Sequence, residues 1–420
     1  MSFPRYAAYK DSEVGWLRDI PAHWGVGQSR RLFALRNDRA LGSDRQLTAS
    51  QKHGVIYQDD YMSLEGHRVV QVLKGADMLK HVEPNDFVIS MRSFQGGIEW
   101  CNLRGCISSA YVMLVPCDRV HAPFFRYLLK SAFYIQALQT TSNLVRDGQA
   151  MRYDNFTQIA LPLIPLDEQA RIAAFLNRET AKTDELVVEQ RRLVELLKEK
   201  RQAVVSHAVT KGLDPDAPMK SSSIEWLGDV PDHWQLRRLR FVCDIHTGDK
   251  DTEHAVEDGQ YPFFVRSQVV ERINTVAYDC EAILTAGDGA GVGKVFHYYE
   301  GPFDFHQRVY MLNNFREVSG LFLFHFLREN FYKVALEGGA KSTVDSLRRP
   351  MFMNFMVCVP PKDEQEAIVL AVREEMAKID TLTAEAQRAI NLLQERRAAL
   401  ISAAVTGQID VRGFADSKAA

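Results

Sequence analysis

The run Gly287-Asp288-Gly289-Ala290-Gly291-Val292-Gly293-Lys294 has the residue types of a phosphate cradle, because clustered backbone amides beside a lysine can hold an anion. The spacing does not fit. A Walker loop needs glycine where Asp288 stands and a hydroxyl residue where Val295 stands, and the dinucleotide fingerprint fails at Val292. The stretch Ser90-Met91-Arg92-Ser93-Phe94-Gln95-Gly96-Gly97 follows a comparable apolar strand, so a loop is expected at both places. Each can be a hairpin or bulge needing positive φ, or a loop that touches DNA. Arg92, Ser93, Gln95 and Lys294 are the candidate DNA contacts in these loops, and Arg266 is a further candidate outside them.

Two later segments offer similar chemistry: Arg146-Asp147-Gly148-Gln149-Ala150-Met151-Arg152 and Gly338-Gly339-Ala340-Lys341-Ser342-Thr343-Val344. Arginine can pair both acceptors of guanine, glutamine can pair adenine, and lysine or serine can hold phosphates. Arg146, Gln149, Arg152, Lys341 and Ser342 therefore join the candidate DNA contacts, although each segment could equally be a solvated loop.

Catalytic and metal patterns are not evident. The cysteines Cys101, Cys106, Cys117, Cys243, Cys280 and Cys358 have neither metal-type pairing nor the density of a disulfide scaffold, and buried free thiols are expected. His23 and His233 have no third ligand at a metal-like spacing. Pro360-Pro361 is followed by Lys362 rather than an aromatic residue, so the motif of an amino-methyltransferase is missing, as is a convincing Glu-x-Lys nuclease element. No catalytic residue, metal or cofactor is assigned to this chain.

A length of 420 residues implies two to four domains. Hydrophobic residues at 46% and charged residues at 25% are ordinary globular values that exclude a largely disordered chain. No secretory leader or long uncharged apolar run is visible, so a cytoplasmic protein without a membrane partner is expected. The formal net charge of -3 provides no global attraction to phosphate, and any nucleic-acid role must rest on local basic surfaces or basic partners.

The elements that would position these loops are written twice. Trp16-Leu17-Arg18-Asp19-Ile20-Pro21-Ala22-His23-Trp24 returns as Trp226-Leu227-Gly228-Asp229-Val230-Pro231-Asp232-His233-Trp234. Asp167-Glu168-Gln169 returns as Asp363-Glu364-Gln365, and the two segments match without a gap to Ala208-Val209-Thr210 and Ala404-Val405-Thr406. The tryptophans could form a base-stacking platform, but a compact apolar plug at each domain entrance is the favoured reading. Between the repeats lie two dissimilar stretches of similar length.

The repeated segments read as long helices, with prolines before them and acidic residues in the first turn. Ile172, Leu176, Leu186, Val187, Leu193, Val194, Leu197 and Val204 form an apolar stripe in the first, and Ile368, Val372, Ile379, Leu382, Ile390, Leu393, Leu400 and Ile401 do so in the second. About 40 helical residues reach roughly 60 Å. The stripes can pair as an intramolecular coiled coil or pack on their own globular domains. Antiparallel pairing would relate the two halves by an approximate two-fold, and the sequence alone leaves parallel pairing open.

In the variable stretches, strands are expected at 86–91, 110–115, 282–285 and 308–312, and helices at 123–129 and 321–327. The fold class is therefore α+β: two mixed domains separated by two long helices that form an antiparallel coiled coil, with a pseudo-two-fold internal repeat. The boundaries fall at 1–165, 166–212, 213–361, 362–412 and a tail at 413–420.

The Trp-Leu-x-Asp-Ile/Val-Pro-x-His-Trp element, the Pro and Asp-Glu-Gln entry to each helix and the Ala-Val-Thr exit together resemble the specificity subunits of type I restriction-modification systems, over nearly the whole chain. The resemblance implies two target-recognition domains, each reading one half of a split, asymmetric double-stranded DNA target. It also implies two methyltransferase subunits carrying S-adenosylmethionine and two restriction subunits using ATP and Mg, with this chain itself non-catalytic. The competing readings are a fused restriction-modification enzyme, which would carry its own motifs, and a coiled-coil scaffold, which would have no use for two different domains.

Overall fold

The computed structural model describes residues 3–66, 78–141, 151–335 and 347–414. The chain divides into two compact units, Met1–Gln190 with Arg388–Ala420, and Arg191–Gln387.

In the first unit a four-stranded antiparallel sheet runs in the order Phe33–Arg36, Val112–Pro116, Phe87–Ile89, Glu99–Trp100. Side chains alternate across a strand, and here both faces are covered. Phe87, Ile89 and Leu114 point into the main core, while Val88 and Met113 point into a smaller one. Burial on both sides explains why these strands read as apolar runs rather than as alternating patterns. Helices Ala122–Leu128 and Ala132–Thr140 cover the larger core. Pro123 opens the former, where a missing N–H is harmless, and the Ser131 hydroxyl accepts from Tyr134 N at the start of the latter.

The second unit repeats the plan with a larger sheet. Its six strands lie in the order Asp244–Thr247, Val309–Asn313, Tyr278–Ala286, Phe296–Phe305, Tyr261–Phe264, Glu271–Ile273, with one parallel pairing between Tyr261–Phe264 and Phe296–Phe305. Ile283 and Leu312 face one core, and Ala282, Leu284 and Met311 face another. Helix Gly320–Asn330 covers the former, capped by Ser319. The expected strands and helices are all present, and the α+β class holds.

Each unit is closed by a short strand pair that joins its ends: Gly25–Gln28 with Ala160–Leu163, and Gln235–Arg238 with Met356–Val359. Each strand after the variable stretch leads into a long helix, Leu166–Lys211 and Lys362–Val405.

The two helices pair antiparallel within each unit. In the first, Arg397 meets Asp184 at 2.8 Å and Arg412 approaches Glu168 at 3.9 Å, so one number falls as the other rises. In the second, Arg201 Nη1 donates to Asp380 at 2.8 Å, and Gly212, just past one helix, lies beside Glu364 at the start of the other. The helices also pack on their own domains: Ile172, Phe175 and Leu176 belong to the first unit's core, and Ile368, Val372 and Ile379 to the second's. The two packing modes weighed from sequence thus share one helix length.

The buried seam differs in detail from the expected stripe. Val187, Leu197 and Val205 are buried, with Gln190, Val194 and Arg201 half-buried between them, at the alternating three- and four-residue spacing of paired helices. Leu186, Leu193 and Leu382 lie off that seam and are exposed. A leucine one position from the seam is rotated by about 100° around the helix, which is enough to place it in solvent. Among the described residues, no helix is long and apolar enough to cross a membrane.

Leu197→Lys is therefore expected to cost about 3 kcal/mol or more by burying an unpaired ammonium and removing core contacts. Leu193→Lys, at an exposed position, should change stability by less than about 1 kcal/mol. Urea unfolding of both variants checks the ranking, and equal losses would refute the observed seam.

Candidate nucleic-acid interface

The repeated motifs form the frame of each unit. Trp24 is fully buried, and its indole N–H donates to Glu168 Oε1 at 3.1 Å, while His23 Nε2 lies 2.7 Å from Glu168 Oε2. Trp234, also fully buried, donates to Glu364 at 3.0 Å, and His233 lies 2.7 Å from the same carboxylate. Trp24 and Trp234 are consequently plugs and offer no stacking face, whereas Trp16 and Trp226 are half-buried against the same cores. The following glutamines act as staples. Gln169 accepts from His121 N and donates to the carbonyls of Arg119 and Ile164; Gln365 accepts from Ser319 N and donates to those of Glu317 and Pro360.

Gly407 completes the first frame. Its φ is +74°, and a Cβ there would fall 2.4 Å from Pro21 Cδ and 3.0 Å from Trp24 Cη2, so only glycine fits. Tyr6 donates to Glu168 at 2.7 Å. Burial and that anionic partner hold its phenol well above the ordinary range.

On this frame the first unit carries Arg92, Ser93 and Gln95 at the turn between strands Phe87–Ile89 and Glu99–Trp100. Residues Ser93–Gly96 form a single helical turn, and Gly97 takes the positive φ of +80° expected for a hairpin connection. Arg92 and Gln95 are exposed. Ser93 is buried, and its Oγ accepts from Ser90 N at 2.8 Å, so this hydroxyl shapes the turn.

Arg92 also lines a cleft of about 540 Å³ with Lys52, Tyr61 and Tyr111. Lys52 Nζ is paired with Glu65 at 2.6 Å, so Arg92 and the two phenols are the groups of this cleft that suit a phosphate backbone and base edges. Arg152 is exposed, and its backbone N–H donates to Asn155 Oδ1 at 3.0 Å at the start of helix Tyr153–Thr157. Arg146 and Gln149 lie outside the described residues.

The second unit presents different groups. The glycine-rich run turns between strands Tyr278–Ala286 and Phe296–Phe305, with Gly289 at φ +75° and Gly293 at φ +71°. Val292 N donates to Gly289 O, and the amides of Lys294 and Val295 donate to Gly291 O. These three amides are engaged within the turn and are not available to cradle a phosphate. Lys294 is exposed, and its carbonyl accepts from Gln268 Nε2.

Arg266 Nη1 donates to Asp288 Oδ1 at 2.9 Å, and Arg308 Nη1 donates to the other oxygen. Burial would raise the Asp288 pKa, but hydrogen bonds from Arg308 and Arg266 outweigh it and hold the carboxyl below its usual range. Lys341 and Ser342 lie outside the described residues. Sequence reasoning passed over Lys52, Tyr61, Tyr111 and Arg308. Arg308 stood at the head of an expected strand, and an exposed cation at such an end was the available signal.

No group of three or more His, Cys, Asp or Glu side chains able to hold a metal ion occurs among the described residues. All six cysteines are free, and burial pushes the Cys101 thiol up to about 11 and those of Cys243 and Cys358 to about 12. These three are not nucleophiles at neutral pH.

Two mixed α+β units with cationic turns on a duplicated helical frame are the features that the comparisons with known proteins bear on. Residues 231–390 match the family model of the Type I restriction modification DNA specificity domain. The chain is 30% identical over 182 residues to the Type I restriction enzyme EcoDI specificity subunit of Escherichia coli, a match covering 43% of this chain and 40% of that protein. It is 23% identical over 361 residues to the MjaVIII specificity subunit of Methanocaldococcus jannaschii, covering 79% of this chain and 81% of the relative.

Its fold is similar to that of the HsdS subunit from Thermoanaerobacter tengcongensis, with a TM-score of 0.55, 16% identity and coverage of 92% of this chain and 98% of the other. A chain from a structure describing complex assembly and conformational transition of the type I R-M system gives a TM-score of 0.68 at 15% identity, again covering 92% and 98%. In sequence the chain is thus similar to type I restriction enzyme specificity subunits over the spans given.

Tyr111 of the first cleft is bonded through its backbone to a strand that carries a titratable histidine. Lys80 Nζ donates to Tyr111 O at 2.7 Å, and the neighbouring His81 bonds Asp44 at 2.7 Å and Glu83 at 2.8 Å. Burial would lower the His81 pKa, but hydrogen bonds to Asp44 and Glu83 and their charges raise it overall. A folded pKa above the unfolded value of about 6.5 stabilises fully below that pH and loses its contribution as pH rises through the folded value. The urea midpoint of the wild type is expected to fall over that rise, and His81→Gln should flatten this part of the profile. Identical slopes in the two proteins would refute the assignment.

Proposed function

We propose that this chain is the non-catalytic DNA-reading subunit of a type I restriction-modification complex in the cytoplasm, and that it recognises a bipartite, asymmetric double-stranded target. One observation carries the reading: the same Trp-His-Glu frame occurs in both units, but the exposed turns built on it differ. One has Arg92 beside Lys52 and two tyrosines, and the other has Arg266 and Arg308 joined through Asp288. A repeated frame with unlike polar turns suits two unlike half-sites.

The recognition domains are taken as 1–165 and 213–361, with helical regions 166–212 and 362–412. Arg92, Gln95 and Arg152 are contacts for one half-site, with Ser93 shaping the turn. Arg266 and Lys294 are contacts for the other, and Arg146, Gln149, Lys341 and Ser342 complete the set. Two methyltransferase subunits dock on this chain and bring S-adenosylmethionine; through them dock two restriction subunits that use ATP and Mg. Because the chain carries a net charge of -3, affinity for the polyanion depends on these local cations and on the partners.

Single-molecule sequencing for methyladenine tests the reading in cells that express the chain with its neighbouring methyltransferase, compared with that methyltransferase alone. A bipartite motif is expected only with both. Exchange of residues 34–163 for those of a relative should change one half of the motif and leave the other intact. A change in both halves would refute modular reading, and a motif that does not need this chain would refute the function.

A further inference from the structure

The glycine-rich run is pressed against the backbone of two arginines. A Cβ on Gly291 would fall 2.6 Å from the carbonyl oxygen of Arg266, and one on Gly287 would fall 2.9 Å from that of Arg308. Gly287 N also donates to Arg308 O at 2.8 Å. From the same run Asp288, only 7% exposed, accepts from both guanidinium groups. One turn thus holds Arg266 and Arg308 by backbone and by side chain.

The arginines are not themselves buried. Their side chains are 44% and 60% exposed, and each guanidinium gives one of its five N–H groups to Asp288. A cavity of about 330 Å³ lined by Thr252, Ser267 and Glu271 opens beside Arg266 and the turn. On the far side, Arg308 N donates to His306 Nδ1 and Gln307 Nε2 to Asp251, which ties down the turn that carries Arg308.

A surface built only for phosphate affinity gains from charge and does not need direction. Here a buried carboxylate removes one unit of positive charge from the patch and in return fixes two planar forks. That exchange favours a contact whose strength depends on direction, such as an arginine donating to the O6 and N7 acceptors of guanine in the major groove.

We propose that the glycine-rich run of the second unit is an arginine-positioning device, and that the Arg266-Asp288-Arg308 cluster reads guanine in one half-site. Arg266 and Arg308 make the base contacts, and Asp288, Gly287 and Gly291 are positioning residues. The inference rests on the DNA-reading function proposed above.

The test is methyladenine sequencing with the full complex carrying Arg308→Ala, Arg266→Ala, Asp288→Asn or Gly291→Ala. Each variant is expected to reduce the preference for guanine by about tenfold or more at one or two adjacent positions of a single half-site. The other half-site stays unchanged and serves as an internal control for folding and assembly. Because Arg308 and Arg266 are substantially exposed, their truncation leaves the core in place. Loss of preference with Asp288→Asn at the same positions as with the arginine variants identifies positioning, which a merely structural defect would not localise. Uniformly reduced methylation with every motif position retained, as expected for a phosphate contact, would overturn the proposal. So would an unchanged motif in the two arginine variants. Absence of any bipartite motif with the wild-type chain would instead refute the DNA-reading function.

Discussion

A glutamate at the start of each long helix organises the unit around it. Glu168 and Glu364 are each the third residue of their helix and the second acidic one of its first turn, where the positive end of the helix dipole favours a carboxylate. Each accepts from a fully buried indole and bonds a histidine from a motif more than 100 residues away in sequence. A charged acceptor makes these bonds stronger than neutral ones, and burial of the indoles adds apolar stabilisation around them. The adjacent glutamines bind the strand that enters the helix and the loop before the domain's own helix. The entrance and exit of the variable stretch are thereby joined at one point, and the residues between them are free to diverge.

The two frames are alike but not equal. Glu168 is enclosed by Tyr6 and approached by Arg412, whose guanidinium lies 4.8 Å from the Tyr6 ring centroid, and its side chain is 3% exposed. Glu364 keeps the tryptophan and histidine partners but is 27% exposed. The sheets diverge further, with four strands in one unit and six in the other, although in both a central sheet separates two apolar cores. A sheet buried on both faces is a stiff support, and the polar turns project from strands of these sheets. Rigidity beneath a polar turn is what directional recognition requires.

The electrostatics are local throughout. The chain has no net positive charge to attract DNA, and among the described residues exposed charges are paired, as in Arg397 with Asp184, Arg45 with Asp59 and Arg201 with Asp380. The arginines on Asp288 show a different use of pairing: one buried carboxylate is shared by two exposed cations, so direction is gained while a positive charge remains.

The duplicated motifs, the α+β class, the two long helices and the positions of the main strands and helices were legible in sequence, because each depends on local periodicity or on repeats that survive in one dimension. The plug role of Trp24 and Trp234 followed from their apolar neighbours. What only the tertiary structure decided was direction and partnership. Antiparallel pairing depends on which ends of the helices meet, and Leu193 lies outside the seam because a shift of one residue rotates a side chain by about 100°. Asp288 could be recognised as the partner of Arg266 and Arg308 only once strands distant in sequence were adjacent. Hydrophobic patterning is encoded along the chain, whereas hydrogen-bond partners between separate turns are created by the fold.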